Sequence, residues 1–94
     1  MAYQEPNALP LTGQVTLFSG YFAPEDWMFC HGQILPISNN EALFSLLDTS
    51  YGGDGRTNFA LPDLRTKATN QEEGSSASVN YIICVNGYYP RRPD

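Results

Sequence analysis

Residues 38–65 read SNNEALFSLLDTSYGGDGRTNFALPDLR and join the clearest helix signal of the chain to its densest cluster of glycines. Ser38-Asn39-Asn40-Glu41 has the form of a capping box, in which the Ser hydroxyl meets the amide three residues on and Glu41 reaches back to the cap. Behind it, Leu43, Leu46 and Leu47 fall on one side of a 3.6-residue wheel, and Phe44 broadens that side. The spacing predicts a helix over about residues 39–49, ending before Gly52-Gly53. A helix of about ten residues is marginal alone, so it must be held by packing on a sheet. From Tyr51 to Arg65 the chain reads as a long glycine-rich loop pegged by Phe59, Leu61 and Leu64, and Pro62 excludes a central strand at that point.

Downstream, residues 66–78 (TKATNQEEGSSAS) hold no large apolar side chain and are expected to form a flexible, solvated loop. Residues 79–85, VNYIICV, make the strongest strand signal. Their near-continuous apolarity predicts burial on both faces and a central place in the sheet. Asn86-Gly87 turns the chain, and residues 91–94 form a tail. Upstream, residues 1–12 read as an extended arm, because Pro6 and Pro10 keep their predecessors in extended geometry. Val15, Leu17 and Ser19 alternate with Thr16 and Phe18, which predicts a strand closed by Gly20. Trp27–His31 reads as another strand, with Trp27 as a core anchor facing the Leu-rich helix. His31-Gly32 supplies a tight turn into Gln33–Ile37, so these two pieces are expected to pair as a hairpin. The fold class that follows is α+β: a small mixed or antiparallel β-sheet with one packed helix and a glycine-rich loop, over residues 13–90.

Composition narrows the function. The 94 residues suffice for one small domain with a modest core. A net charge of −5 with five basic residues argues against nucleic acid as a partner, whose binding rests on Lys and Arg meeting phosphates. The apolar run Ile82-Ile83-Cys84-Val85 is far short of the ~20 residues that span a bilayer, so no membrane insertion is expected. Residues 1–10 (MAYQEPNALP) lack a basic start and carry two prolines, so no secretory signal is read there. Cys30 and Cys84 fit no zinc or redox spacing. Two buried free thiols and a disulfide closing a long loop both stay open.

Little in the chain points to chemistry. Gly52-Gly53-Asp54-Gly55-Arg56-Thr57 resembles a phosphate loop only superficially, because the Lys-Ser/Thr pair that opens a Walker helix is missing. The glycines offer amides and Arg56 a charge, but such a segment more often serves a steep change of chain direction. His31, the single histidine, has no ligand partner at metal spacing and reads as a turn residue. Asp26, Asp54 and Asp63 sit beside turns, where short carboxylates bond nearby amides. No catalytic constellation, metal site or cofactor site is read, and the chain is not expected to be an enzyme. Tyr3, Tyr88 and Tyr89 near the termini, with Pro6 in the arm, are candidate interface residues, since tyrosine brings contact area at low entropic cost.

Three stretches carry a resemblance: GQVTLFSGYFAPEDWMFCHGQILPIS (13–38), NEALFSLLDTSYGGDGRTNFALPDLR (40–65) and NYIICVNGYYPRR (80–92). In this order, with W-x-x-C-x-G-Q-x-L-x-I and Y-G-G-D-G…F-x-L-P-D-L-R together, the chain resembles the phage tail collar domain family, which includes collar regions of short tail fibres. The resemblance implies a structural or adhesive part of a phage tail or tail-derived particle, usually trimeric and without enzymatic activity. It implies a place in a virion or tail-like extracellular particle, after synthesis in the bacterial cytoplasm. The implied partners are the chain itself, as a trimer or strand-exchanged polymer, and other tail proteins. The alternative is an adhesive module that contacts a cell-surface glycan or receptor through its 66–78 or Gly52–Arg56 loop. Trp27 and Phe44 look like core positions, and Gly52, Gly53, Gly55, Phe59, Pro62 and Asp63 look like the loop that fixes the fold. Gly32 and Tyr81 join them as structural positions. Longer relatives carry many tens of residues between L-P-D-L-R and the N-Y-I-I strand, and in short tail fibres that region builds a receptor-binding head with histidine metal ligands. Here Thr66–Val79 bridges the gap without histidine or aromatic, so that head and its metal site do not carry over. Thr66 also stands where glycine is usual, and His31 where Asp or Asn is commoner.

Overall fold

A computed structural model describes residues 10–65 and 79–93; Tyr3, Pro6 and the 66–78 loop lie outside the described residues. The elements run β1 (Val15–Phe18), β2 (Trp27–Phe29), β3 (Ile34–Pro36), α1 (Glu41–Leu47), β4 (Asn58–Ala60) and β5 (Asn80–Cys84). They form a three-stranded antiparallel sheet ordered β1-β5-β2 and a two-stranded antiparallel sheet, β3-β4. The α+β class holds, with two small sheets where the sequence suggested one.

β5 is central, as its apolar run predicts. Ile82, Ile83 and Cys84 are all buried in succession, so both faces of the strand are covered. Opposite residues share a face in an antiparallel pair, so Met28 and Ile83 point one way while Trp27, Phe29, Ile82 and Cys84 point the other. The main core lies on the first face and joins Cys30, Leu35, Leu43, Phe59, Leu61 and Ile83 from both sheets, the helix and the connecting segments. This corrects the reading of Trp27. It is half-buried on the opposite face, outside the main cluster, because the pleat turns Met28 rather than Trp27 toward the helix side.

The expected hairpin of residues 27–31 with 33–37 does not form. β2 takes β5 as partner and β3 takes β4. The reason lies in residues 58–64, which run antiparallel to residues 30–36 in one continuous register. His31 bridges Asp63, Leu35 faces Phe59 and Pro36 faces Asn58. Backbone bonds tie the rest: Gly32 donates to Pro62 (3.1 Å), Leu61 to Gln33 (3.0 Å) and Leu64 to Cys30 (2.9 Å). The 58–60 part of the expected loop is therefore a strand, and Pro62, just past its end, accepts from the Gly32 N–H but has no N–H to return.

The helix starts later and is shorter than its pattern suggests. Ile37 still pairs with Thr57 (3.0 Å), so the chain must reverse within Ser38–Asn40, and Asn39 takes a left-handed φ of 71° to do so. Ser38 consequently caps nothing. Asn40 is the N-cap without a side-chain cap bond, and its Nδ2 donates instead to the Pro36 carbonyl at 2.9 Å. Leu43 is fully buried and the Phe44 ring meets Phe59 at 5.3 Å, whereas Leu46 is exposed.

The fold also settles the cysteines. Both are buried free thiols. Cys84 sits opposite Trp27, and Cys30 follows three residues later at the Tyr81 end of β5. Three residues of strand separate the two by about 10 Å, beyond disulfide reach. Burial pushes the Cys30 thiol up to about 11, and burial followed by the Asp26 charge raises Cys84, despite an opposing N–H from Asn86. Both stay protonated at neutral pH.

Candidate functional site

The glycine-rich loop, the first place to look for anion chemistry, spends its polar groups on itself. The Asp54 carboxylate accepts N–H bonds from Arg56 (2.8 Å), Thr57 (2.9 Å) and Asn58 (3.1 Å), and the Thr57 hydroxyl at 3.1 Å. Its own amide donates to the Asn58 side chain at 2.8 Å. Gly52 donates to Thr49 (3.1 Å) and Gly55 to Asn58 (3.0 Å). These groups point inward on the loop, so Gly52–Arg56 is a folded turn rather than a cradle for phosphate.

Asp54 should therefore govern acid stability. The amides of Thr57, Arg56 and Asn58 hold its pKa down to about 2 from the ordinary 3.8. A depressed carboxylate contributes stability that is complete above the unfolded value and is lost as pH falls toward the folded one. Asp54→Asn is thus expected to lower the urea midpoint at neutral pH. The gap from wild type should narrow between about pH 4 and pH 2. A constant gap across that window would show that the carboxylate's charge is not what holds the loop.

The next motif residues are also structural. Asp63 receives a two-pronged contact from Arg65, Nε to Oδ1 at 2.9 Å and Nη2 to Oδ2 at 2.7 Å, which lowers its pKa to about 2. A Cβ on Gly32 would come within 3.2 Å of the Asp63 side chain, so Gly32 lets the two segments close together. His31 stacks on Phe29 at 5.2 Å, and its buried Nε2 has no hydrogen-bond partner among the described residues. Pro62 is buried, and Tyr81 packs half-buried against the main core. No group of three or more His, Cys, Asp or Glu that could hold a metal occurs among the described residues.

A family model, the Phage Tail Collar Domain, matches residues 13–69, which is more than half of the chain and runs from before β1 through the glycine-rich loop to beyond L-P-D-L-R. The chain belongs to the phage tail collar domain family. Comparison with curated proteins gives no match. The collar domain is a structural domain of phage tails, so this chain is a tail component, and β5 with its tyrosine-bearing extension lies C-terminal to the matched region.

Two surface grooves of this collar domain include residues of the 85–92 segment. One groove of about 300 Å³ is lined by Pro10, Asp26, Asn86, Gly87 and Tyr88. A second, of about 260 Å³, is lined by Leu46, Tyr89, Pro90, Arg91 and Arg92, where the Tyr89 and Ser45 hydroxyls share a 2.6 Å hydrogen bond. Tyr88 and Tyr89, candidate interface residues by sequence, thus line adjacent but separate grooves. Asp26 was readable only as a turn residue. Its Oδ1 accepts from Asn86 Nδ2 at 3.3 Å, sixty residues away, and no local pattern signals that meeting.

Proposed function

We propose that this collar domain is a self-associating structural subunit of a phage tail fibre or tail-derived particle, forming trimers or strand-exchanged polymers. The observation that carries the reading is β1. Among the described residues it pairs with β5 alone, on one side, and Val15 and Leu17 are exposed on it, Leu17 by 50%. An edge strand with open backbone groups and exposed apolar side chains is a template for another chain. Strand addition from a neighbouring copy, through its N-terminal residues, would satisfy that edge and give closed rings or open chains according to geometry. Other tail proteins offer the same kind of partner.

Sedimentation velocity on the full chain tests this. Trimers or larger species are expected, with a shift toward monomer in Val15→Lys/Leu17→Lys, because lysines on an edge block pairing. Deleting residues 1–9 should have a similar effect. The deletion stops there because Leu11 bridges Tyr88 and Thr12 is buried. A strict monomer at millimolar concentration, unchanged by either alteration, would sink the proposal.

A further inference from the structure

Asn86-Gly87, the only Asn-Gly pair in the sequence, closes a clasp over residues 10–13. Tyr88 donates to the Pro10 carbonyl (3.0 Å) and accepts from the Thr12 N–H (2.8 Å), and Gly13 donates to Cys84 (2.8 Å). The Gly87 N–H is held by Thr12 Oγ1 at 2.9 Å, and Thr12 itself is buried. On the other side, Asn86 Nδ2 donates to Asp26 Oδ1 at 3.3 Å, and the Asp26 carbonyl accepts the Val85 N–H at 2.8 Å. A Cβ on Gly87 would lie 2.7 Å from the Pro10 carbonyl oxygen and 2.8 Å from Cys84 Sγ, so the clasp admits no side chain there. The fold thus demands glycine after Asn86, although glycine is the neighbour that least obstructs attack on an asparagine side chain. Asn86 and Gly87 are both exposed, so water reaches the pair.

We infer that Asn86 is a deamidation site which the clasp holds unreacted, and that its conversion to a carboxylate unlocks residues 10–13 irreversibly. The reaction needs only water. The Gly87 nitrogen bonds to Asn86 Cγ, the Cγ–Nδ2 bond breaks, and Nδ2 leaves as ammonia with the Gly87 amide proton. Water then opens the cyclic imide, its hydroxyl going to either carbonyl carbon and its proton to the Gly87 nitrogen, which leaves aspartate or isoaspartate. In the clasp both reacting groups are engaged, the attacking amide with Thr12 and the departing one with Asp26. Ring closure turns the Gly87 nitrogen onto Cγ, which takes its N–H off Thr12 and pulls on the Tyr88–Pro10 bond beside it. Deamidation therefore requires the clasp to open first, a local event that leaves the core folded. The product cannot close it again. A carboxylate has no N–H for Asp26 and sets a second negative charge against it, with Glu25 exposed alongside. Isoaspartate adds a methylene to the backbone of a turn already in contact with Pro10 and Cys84. The result is a one-way release of the segment through which residues 1–9 join the domain. The inference does not rest on self-association, and either can fail without the other.

Tandem mass spectrometry on the full chain, incubated folded and in urea at mildly alkaline pH, follows the conversion of Asn86. It should be at least about tenfold slower in the folded chain, because several hydrogen bonds must open first. Thr12→Val removes Oγ1 and should speed the folded-state reaction about three- to tenfold, the equivalent of one hydrogen bond. Thr12→Ser keeps the oxygen and should stay near the wild-type rate. Amide exchange at Ile82–Cys84 should be unchanged in both, which separates opening of the clasp from loss of the core. Asn86→Asp, the product without the reaction, should raise amide exchange at Thr12, Gly13 and Tyr88 about three- to tenfold. The double variant Asp26→Asn/Asn86→Asp reverses donor and acceptor and should restore protection. If exchange at Ile82–Cys84 rises in Thr12→Val, the Asn86→Asp comparison decides alone. Equal conversion in the folded and unfolded chain, a Thr12→Val rate equal to wild type, or wild-type exchange in Asn86→Asp would overturn the inference.

Discussion

Replacing Gly53 by alanine is expected to leave little folded protein. Gly53 has a φ of 96°, in the region open to glycine and strained for any side chain. Space is the larger problem. A Cβ would sit 2.4 Å from Phe59 Cα, 2.9 Å from the Asn58 carbonyl oxygen and 3.0 Å from the Phe59 carbonyl carbon. All three are backbone atoms of β4, and no side chain can swing aside. β4 is itself held from both sides, by its pairing with β3 and by the Ala60 N–H bond to Gly52 at 3.1 Å. Relief of the clash would therefore displace Phe59 from the core. Strain of about 1–3 kcal/mol plus disruption of packing takes the loss past ~4 kcal/mol, against the ~5–15 kcal/mol typical of a whole domain. Gly20→Ala is the control, since the atoms nearest its Cβ would be those of the Phe18 ring, a side chain that can rotate. Soluble yield and urea unfolding by circular dichroism read both variants. A Gly53→Ala midpoint close to that of Gly20→Ala would refute the close-approach argument.

Phe59→Ala should be nearly as damaging, by about 3–5 kcal/mol, or a fall in Tm of roughly 15–30 °C for a domain this size. Phe59 is fully buried and is the hub where the two-stranded sheet meets the helix, against Phe44 at 5.3 Å and within one cluster with Leu35, Leu43, Leu61 and Ile83. A seven-residue helix with no side-chain cap bond has little stability of its own, so the helical signal should be lost with the tertiary signal in one transition. Leu17→Ala on the exposed β1 edge should change stability by less than about 1 kcal/mol. Both must be compared at one protein concentration, because association shifts apparent Tm. A helical signal that survives the loss of Phe59 would show that α1 is held by something else.

The parts legible from sequence were those in which a residue's own neighbours carry the information. Three adjacent apolar residues in Ile82-Ile83-Cys84 cannot alternate inward and outward, so the strand had to be covered on both faces, and it is. Phe59 and Leu61 stood out as the large apolar residues of a polar, glycine-rich stretch, and both are buried. The misreadings were of another kind. Ser38-Asn39-Asn40-Glu41 had every local mark of a capping box, yet Ile37 is held by Thr57 and the cap residues are used to reverse the chain. Trp27 reads as a core anchor from its place at the start of a strand facing the Leu-rich helix, whereas the pleat of β2 decides its face.

The sequence by itself determined the family, the α+β class, the central strand, the buried pegs and the structural use of the glycine-rich loop. These depend on composition, local periodicity and residues whose backbone options are few. Only the tertiary structure decided that β2 joins β5 and β3 joins β4, that Cys30 and Cys84 stay apart, and that Asp26 meets Asn86 and Tyr88 in one groove. Each of these is a choice of partner across distant segments. The backbone of residues 30–36 could satisfy its N–H and C=O groups with either neighbour, and the 58–64 segment takes it because that register also buries Leu35 against Phe59.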